Sequence, residues 1–400
     1  MNKVKVKVVI GSNYGDEGKG LASHYFSLNN GKVLNVLYNG GAQRGHTVEY
    51  KSGKRMVFHH FGAGLFDGAD TYFDEDFMVN PMTFCEEFLK IINSDCRPVI
   101  NCFISPNCRF VTPADMLLNQ VVEIVRSKNK HGSCGHGIWE TQKRYELSEF
   151  NLTFEQFAKL SKEDKKNYLR RAKEFSANRF YNTYEFEEMP RFYKKMFEEY
   201  DGFIEHYIND FNLMCSVAKI KNFEDIVYNY DTIVFEGAQG LELDENNKKA
   251  LPYITASSTG SLVPIKRMCG IEFSEIEICY ITRSYFTRHG AGTFPTECNV
   301  KEIGDNIKDK TNVDNDFQDS LRYGYFNKEQ MMSRIQWDLI KTRAECGAFK
   351  TSLMITHLNE TNKDICGDCS IKDLIETYLF DKVYLSYTPY AEDIKDPYLI

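Results

Sequence analysis

No stretch of this 400-residue chain approaches 18 uncharged apolar residues, so a membrane-spanning helix is not expected. Positive charge is also short. Forty-nine Lys and Arg face 57 Asp and Glu, and the net charge of −8 argues against a nucleic-acid partner. The opening Met1-Asn2-Lys3-Val4-Lys5-Val6-Lys7 runs straight into a strand pattern and lacks the apolar core of a signal peptide. Zinc-ligand spacing is missing too. The 12 cysteines include one C-x-x-C pair, Cys366 and Cys369, with no second pair or suitably spaced histidines nearby. These absences point to reduced thiols in a cytoplasmic protein. A hydrophobic content of 42% is enough for a large core, in one big domain or two.

What is present begins at the N-terminus. Residues 4–10 are apolar with interleaved lysines and read as a strand, and residues 21–26 read as a helix. Between them lies Gly11-Ser12-Asn13-Tyr14-Gly15-Asp16-Glu17-Gly18-Lys19-Gly20. Strand, glycine loop and helix together place backbone N–H groups and a helix N-terminus around a phosphate, and Lys19 adds a point charge. The loop is not a standard P-loop: Asn13 stands where the first glycine would be, and Gly20 where the Mg²⁺-binding Ser or Thr would be. Asp16 and Glu17 inside it suggest a metal or a proton to be moved.

Residues 32–38 read as a second strand, ending in Asn39-Gly40-Gly41-Ala42-Gln43-Arg44-Gly45-His46-Thr47-Val48. Two glycine loops at strand ends in an α/β chain would meet at the C-terminal edge of a sheet, where ligands bind. A histidine in such a loop is a candidate for chemistry.

The two loops together resemble adenylosuccinate synthetase, a family that couples IMP and aspartate using GTP and Mg²⁺. Further segments resemble the family in its own order. They are Phe58-His59-His60-Phe61-Gly62-Ala63-Gly64, Val79-Asn80-Pro81, the run from Ile104 to Pro113, and Gly132-Ser133-Cys134-Gly135-His136-Gly137-Ile138. Phe235-Glu236-Gly237-Ala238-Gln239-Gly240, Pro252-Tyr253-Ile254-Thr255 and Thr287-Arg288-His289-Gly290-Ala291-Gly292 follow. Residues 146–215 carry no family motif. Their Lys, Glu and aromatics at helical spacing predict two or three helices, over 154–177 and 185–207, as a covering or dimer-packing excursion without chemistry.

The resemblance implies one large α/β domain over residues 1–400, with a central, mostly parallel sheet, P-loop-like nucleotide-binding loops and helical excursions. It also implies roles. Asp16 would be the base at purine N1 and a Mg²⁺ ligand, with the Gly45 carbonyl a second ligand. His46 would be the acid that stabilises charge at O6. Lys19 would hold nucleotide phosphates, and Gln239 would face the purine edge. Gly15, Glu17, Gly18, Gly20, Thr47, Ser133, Cys134, Thr255 and Arg288 would complete nucleotide binding. A homodimer is implied, with an arginine crossing to the neighbour's phosphate site; Arg144 is the candidate. Residues 387–390 would close on the donor base.

The departures matter as much. Where the family reads guanine with T-K-x-D, this chain has Thr356-His357-Leu358-Asn359, which suits ATP or dATP at least as well as GTP. The family's arginine-rich aspartate loop corresponds to residues 315–325, where Arg322 is the arginine left and Asp319 opposes it, putting aspartate as co-substrate in question. His136 replaces a family arginine. A viral branch of the family acts on dGMP with adenine donors and has a small residue for the base aspartate, whereas Asp16 is kept here. Three readings follow: a ligase on an IMP-like purine 5′-monophosphate, a viral-type 2-aminoadenylosuccinate synthetase in host cytoplasm, or a nucleotide-binding homologue without catalysis.

Overall fold

The computed structural model describes residues 3–399 apart from 306, 308, 310, 313–319 and 379. The strand Val4–Gly11 is buried on both faces except at Lys5, as expected of a central strand in a parallel sheet. It sits in the middle of a ten-stranded sheet. From one edge the order is Lys395–Leu399, Lys382–Leu385, Lys350–Thr356, Phe273–Arg283, Val4–Gly11, Thr232–Glu236, Val33–Leu37, Asp70–Phe73, Cys102–Ile104 and Ala218–Ile220. All neighbours pair in parallel except the first two. Parallel pairing brings Gly11, Leu37, Glu236, Arg283 and Thr356 to the same edge, and the loops that follow them build the site.

Helix Lys19–Ser27 covers one face over Val9, Val234, Ile281 and Met354. Helices Leu262–Arg267, Lys328–Glu345 and Ile371–Thr377 cover the other, over Val6, Val8, Ile278 and Leu353. The expected strands at 4–10 and 32–38 are Val4–Gly11 and Val33–Leu37, and the helix expected at 21–26 starts at Lys19.

The helical excursion belongs to a long crossover between the neighbouring strands Cys102–Ile104 and Ala218–Ile220. Its helices include Phe154–Lys159, Lys162–Tyr181, Arg191–Glu198 and Tyr200–Val217, which makes four where two or three were expected. Ser161 breaks the first pair by accepting the Asp164 N–H as an N-cap, and Pro190 stands just before Arg191. The last helix extends to Val217 because Phe211 and Met214 continue its buried face. Among the described residues, no helix is long and apolar enough to cross a membrane.

The expectation for Arg144 is overturned here. It is fully buried within its own chain, donating to both Asp115 carboxylate oxygens at 2.9–3.1 Å and to the Phe110 carbonyl at 2.8 Å. A guanidinium so enclosed cannot cross to a neighbouring subunit, and its work is to brace the crossover.

Candidate active site

The first loop closes on itself through Glu17. Glu17 Oε1 accepts the Asn13 and Gly15 N–H groups at 3.0 and 2.8 Å, and Oε2 accepts Lys19 Nζ at 2.6 Å. Gly18, at φ +95°, begins helix Lys19–Ser27 without any side-chain cap, so the first N–H groups of that helix stay open to an anion. A Cβ at Gly18 would also press on the Thr356 side chain at 3.1 Å. Asp16 sits at φ +61°, where a non-glycine residue is strained. Asp16 lines the cleft, and its carboxylate takes no hydrogen bond from any described residue. Gln239 and His357 share the left-handed conformation, at φ +56° and +60°. Three expected site residues are thus held in backbone geometry that only the surrounding fold can enforce.

His46 opens the strand His46–Glu49, which pairs with Arg55–Phe58. Its Nδ1 lies 2.6 Å from Glu236 Oε1, at the end of the strand Thr232–Glu236. Arg44 Nη1 reaches the same oxygen at 3.1 Å, and the Ala63 N–H donates to Glu236 Oε2 at 3.0 Å. Carbonyls of His59 and Phe61 hold the rest of the Arg44 fork. Burial, with Arg44 beside it, pulls the His46 ring down to about 4 against the opposing pull of Glu236. Glu236 is pushed up by burial, but Arg44 and His46 outweigh this and hold it below the usual carboxylate range. The ligand-free pair is therefore a carboxylate and a neutral imidazole whose Nδ1–H is engaged. The sequence reading had His46 as an acid at O6; without ligands the ring is not charged.

These groups face one cleft of ≈ 1920 Å³, about twice the upper size of a single-ligand pocket. Gly15, Asp16, Gly18, Lys19 and Gly20 form its floor, with Gly45, His46 and Thr47 alongside. Ser133, Cys134, Gln239, Thr255, Arg288, His357 and Asn359 line the same cleft. Ser133 Oγ donates to Asn119 Oδ1 at 2.8 Å. The Arg288 fork is committed to the carbonyls of Ala291 and Thr293 and lies 4.7 Å over the Tyr14 ring. Thr388 and Pro389 of the C-terminal segment reach the same cleft. So do Arg179, Thr183 and Tyr184 of the helical excursion, and Arg179 is ion-paired with Glu140.

Two expected residues stand apart. Glu17 is turned inward, as described, and is not on the cleft. Arg322 pairs with Glu297 and donates to the carbonyls of Gly290 and Gly292 at 3.2 and 2.9 Å. Residues 315–319 of the expected amino-acid loop, Asp319 among them, lie outside the described residues.

Sequence reasoning missed Arg44, Glu236, Arg283 and Asp309. Glu236 lay inside a recognised motif, and Arg283 is a charge ending an apolar strand at the ligand-binding edge, a signal that was available.

The residues present fit Mg²⁺. The Asp16 carboxylate, which takes no hydrogen bond from a described residue, and the Gly45 carbonyl are hard oxygen donors lining the same cleft, and Mg²⁺ commonly takes one or two protein oxygens plus substrate phosphates. No group of three or more His, Cys, Asp or Glu among the described residues forms a cage of its own.

A family model described as adenylosuccinate synthetase matches residues 8–339. The adenylosuccinate synthetase of Chlorobium chlorochromatii is 30% identical over 300 residues, 72% of this chain and 64% of that protein. The chain thus spans about two thirds of the length of such relatives. The Mesoplasma florum adenylosuccinate synthetase is 27% identical over 398 residues, 97% of this chain and 84% of that protein. Two solved structures share the fold. Fully ligated Plasmodium falciparum adenylosuccinate synthetase aligns with a TM-score of 0.64 at 17% identity, over 88% of this chain and 77% of that one. The cyanophage S-2L succinoaminodeoxyadenylate synthetase (PurZ), bound to dGMP and dATP as an energy donor, aligns with a TM-score of 0.61 at 14% identity, over 98% and 95%.

Proposed function

The chain belongs to the adenylosuccinate synthetase family, and from that premise we propose that it is a ligase forming a C–N bond on a purine 5′-monophosphate. A nucleoside triphosphate phosphorylates the 6-oxo group, and an amine, aspartate on the family's precedent, then displaces the phosphate. The observation that carries this reading is the convergence of Asp16, Lys19, His46 and Gln239, from loops after different strands, on one cleft large enough for two nucleotides.

A purine 6-oxygen is a poor leaving group, so it must first become a phosphate ester. Asp16, whose carboxylate takes no hydrogen bond from a described residue, takes the N1 proton and so puts charge on O6. His46 donates at O6; the phosphates of two bound nucleotides bring the negative charge that favours its protonation. Lys19 and the open helix N-terminus hold the transferring phosphates. Gln239 faces the purine edge, while Thr255, Ser133 and Cys134 face the 5′-phosphate. Asp16 and the Gly45 carbonyl would hold Mg²⁺, which supplies charge neutralisation between the donor phosphates when bound. A cytoplasmic homodimer follows the family's habit.

The donor is ATP or dATP. Asn359 replaces the carboxylate that suits a guanine edge, and an amide can both donate and accept. The same substitution favours a second reading, with dGMP as acceptor, the nucleotide bound in the cyanophage enzyme.

The test is phosphate release with Mg²⁺, crossing ATP, dATP and GTP against IMP, GMP and dGMP, with aspartate and with other amines. Release that needs a monophosphate, an adenine donor and an amine together supports the proposal, and the acceptor that works separates the two readings. Binding of nucleotides with no release in any combination would leave a non-catalytic homologue.

A further inference from the structure

Arg283 ends the strand Phe273–Arg283 and is 6% exposed under the cleft. Its fork serves three places. Nε donates to the Asp16 carbonyl, Nη1 to the Tyr285 hydroxyl at 2.9 Å, and Nη2 faces Asp309 Oδ2 at 3.4 Å. The Tyr285 hydroxyl donates onward to Glu360, one residue beyond Asn359. Asp309 accepts the N–H groups of Thr311 and Asn312, both at 2.8 Å, and the Thr311 hydroxyl meets that of Thr47 at 3.1 Å, next to His46. One guanidinium therefore touches the backbone of Asp16, the Tyr285 hydroxyl that leads on to Glu360, and the Asp309 carboxylate, two residues before the Thr311 hydroxyl that meets Thr47.

We propose that Arg283 is a positioning residue: it holds Asp16 in its left-handed conformation and, through Asp309, ties that residue to the wall carrying His46. The proposal rests on the ligase reading. An aspartate at φ +61° relaxes readily unless its peptide is tethered, and a proton acceptor that swings away costs turnover more than binding. Lysine cannot replace the fork, because a single ammonium on a flexible stem does not span three fixed partners.

The full-length chain and its R283Q, R283K, D309N and R283Q/D309N variants are compared for kcat and for KM of the monophosphate in phosphate release. Positioning predicts that R283Q lowers kcat about 50-fold or more with KM changed less than about threefold, and that D309N lowers kcat about tenfold. It also predicts that the double variant is no slower than R283Q, since both act along one path, and that R283K recovers little. An R283Q kcat within about threefold of wild type, or single losses that multiply in the double variant, would overturn it. If R283Q does not fold, R283K and D309N decide: a kcat for both within about threefold of wild type overturns the proposal, and a loss in both with KM kept supports it. A wild-type chain that releases no phosphate sinks the ligase reading and this proposal together, whereas active wild type with unaffected variants sinks this proposal alone.

Discussion

Glu236 and His46 meet at 2.6 Å, Oε1 to Nδ1, with the carboxylate fully buried and the ring 4% exposed. The carboxylate decides which ring nitrogen carries the proton and leaves Nε2 for the cleft. Glu236→Gln keeps the shape but loses the charge that orients the ring. Turnover in phosphate release is expected to fall about 100-fold with nucleotide KM values held within a few-fold, as for loss of an acid–base orienter. His46→Ala should cost at least as much. An unchanged kcat in Glu236→Gln would show that the pair has only a packing role.

Acid stability follows from histidines the fold keeps neutral. Burial lowers His60 well below its usual value and lowers His136 to about 4. As pH falls through about 6.5 the unfolded chain takes up these protons while the folded chain does not, until about 4 for His136. Stability is therefore present above about 6.5 and lost across the window below it, at up to about 1.4 kcal/mol per pH unit for each ring. Glu87 and Asp74, which burial pushes up to about 7 and about 6, act with the opposite sign in the same window, so the histidine share is read by difference: the change in urea midpoint between pH 7 and pH 5 should be less unfavourable in His60→Asn than in wild type by one proton's share. The same pH dependence in His60→Asn and wild type would contradict this.

Arg144 gives a prediction about stability and none about assembly. Removing it strands Asp115 in the core, and Arg144→Met should cost about 3–5 kcal/mol in urea unfolding. The oligomeric state of whatever folds should be unchanged. A loss of association at unaltered stability would restore Arg144 to the subunit boundary.

The donor base is testable at one position. Asn359→Asp supplies an acceptor-only edge, and should raise the GTP-to-ATP ratio of kcat/KM by about tenfold or more, since an unpaired polar group in such a pocket is heavily penalised. No change in the ratio would move donor reading to other residues.

The glycine loops were legible because a strand, a loop with Gly15 and Gly18, and a helix are local in sequence. Asp16, Lys19, His46 and Gln239 could be named as a set because the short motifs that carry them resemble those of one family. The partners that make them work were not legible. Glu236 is 190 residues from His46, and Arg283 is 267 from Asp16, so only the parallel register of the sheet brings them together. Glu17 misled for the opposite reason: it is a loop carboxylate whose partners, Asn13, Gly15 and Lys19, are its own neighbours. Arg144 looked free because its acid, Asp115, lies on another helix. Composition could not expose any of these pairings.

The most direct test of the ligase chemistry follows one oxygen. A purine 5′-monophosphate labelled with ¹⁸O at the 6-position is turned over with ATP, Mg²⁺ and the productive amine, and the released phosphate is analysed by mass. Activation at O6 requires each phosphate formed to carry the labelled oxygen. Unlabelled phosphate appearing alongside the amine product would contradict the mechanism.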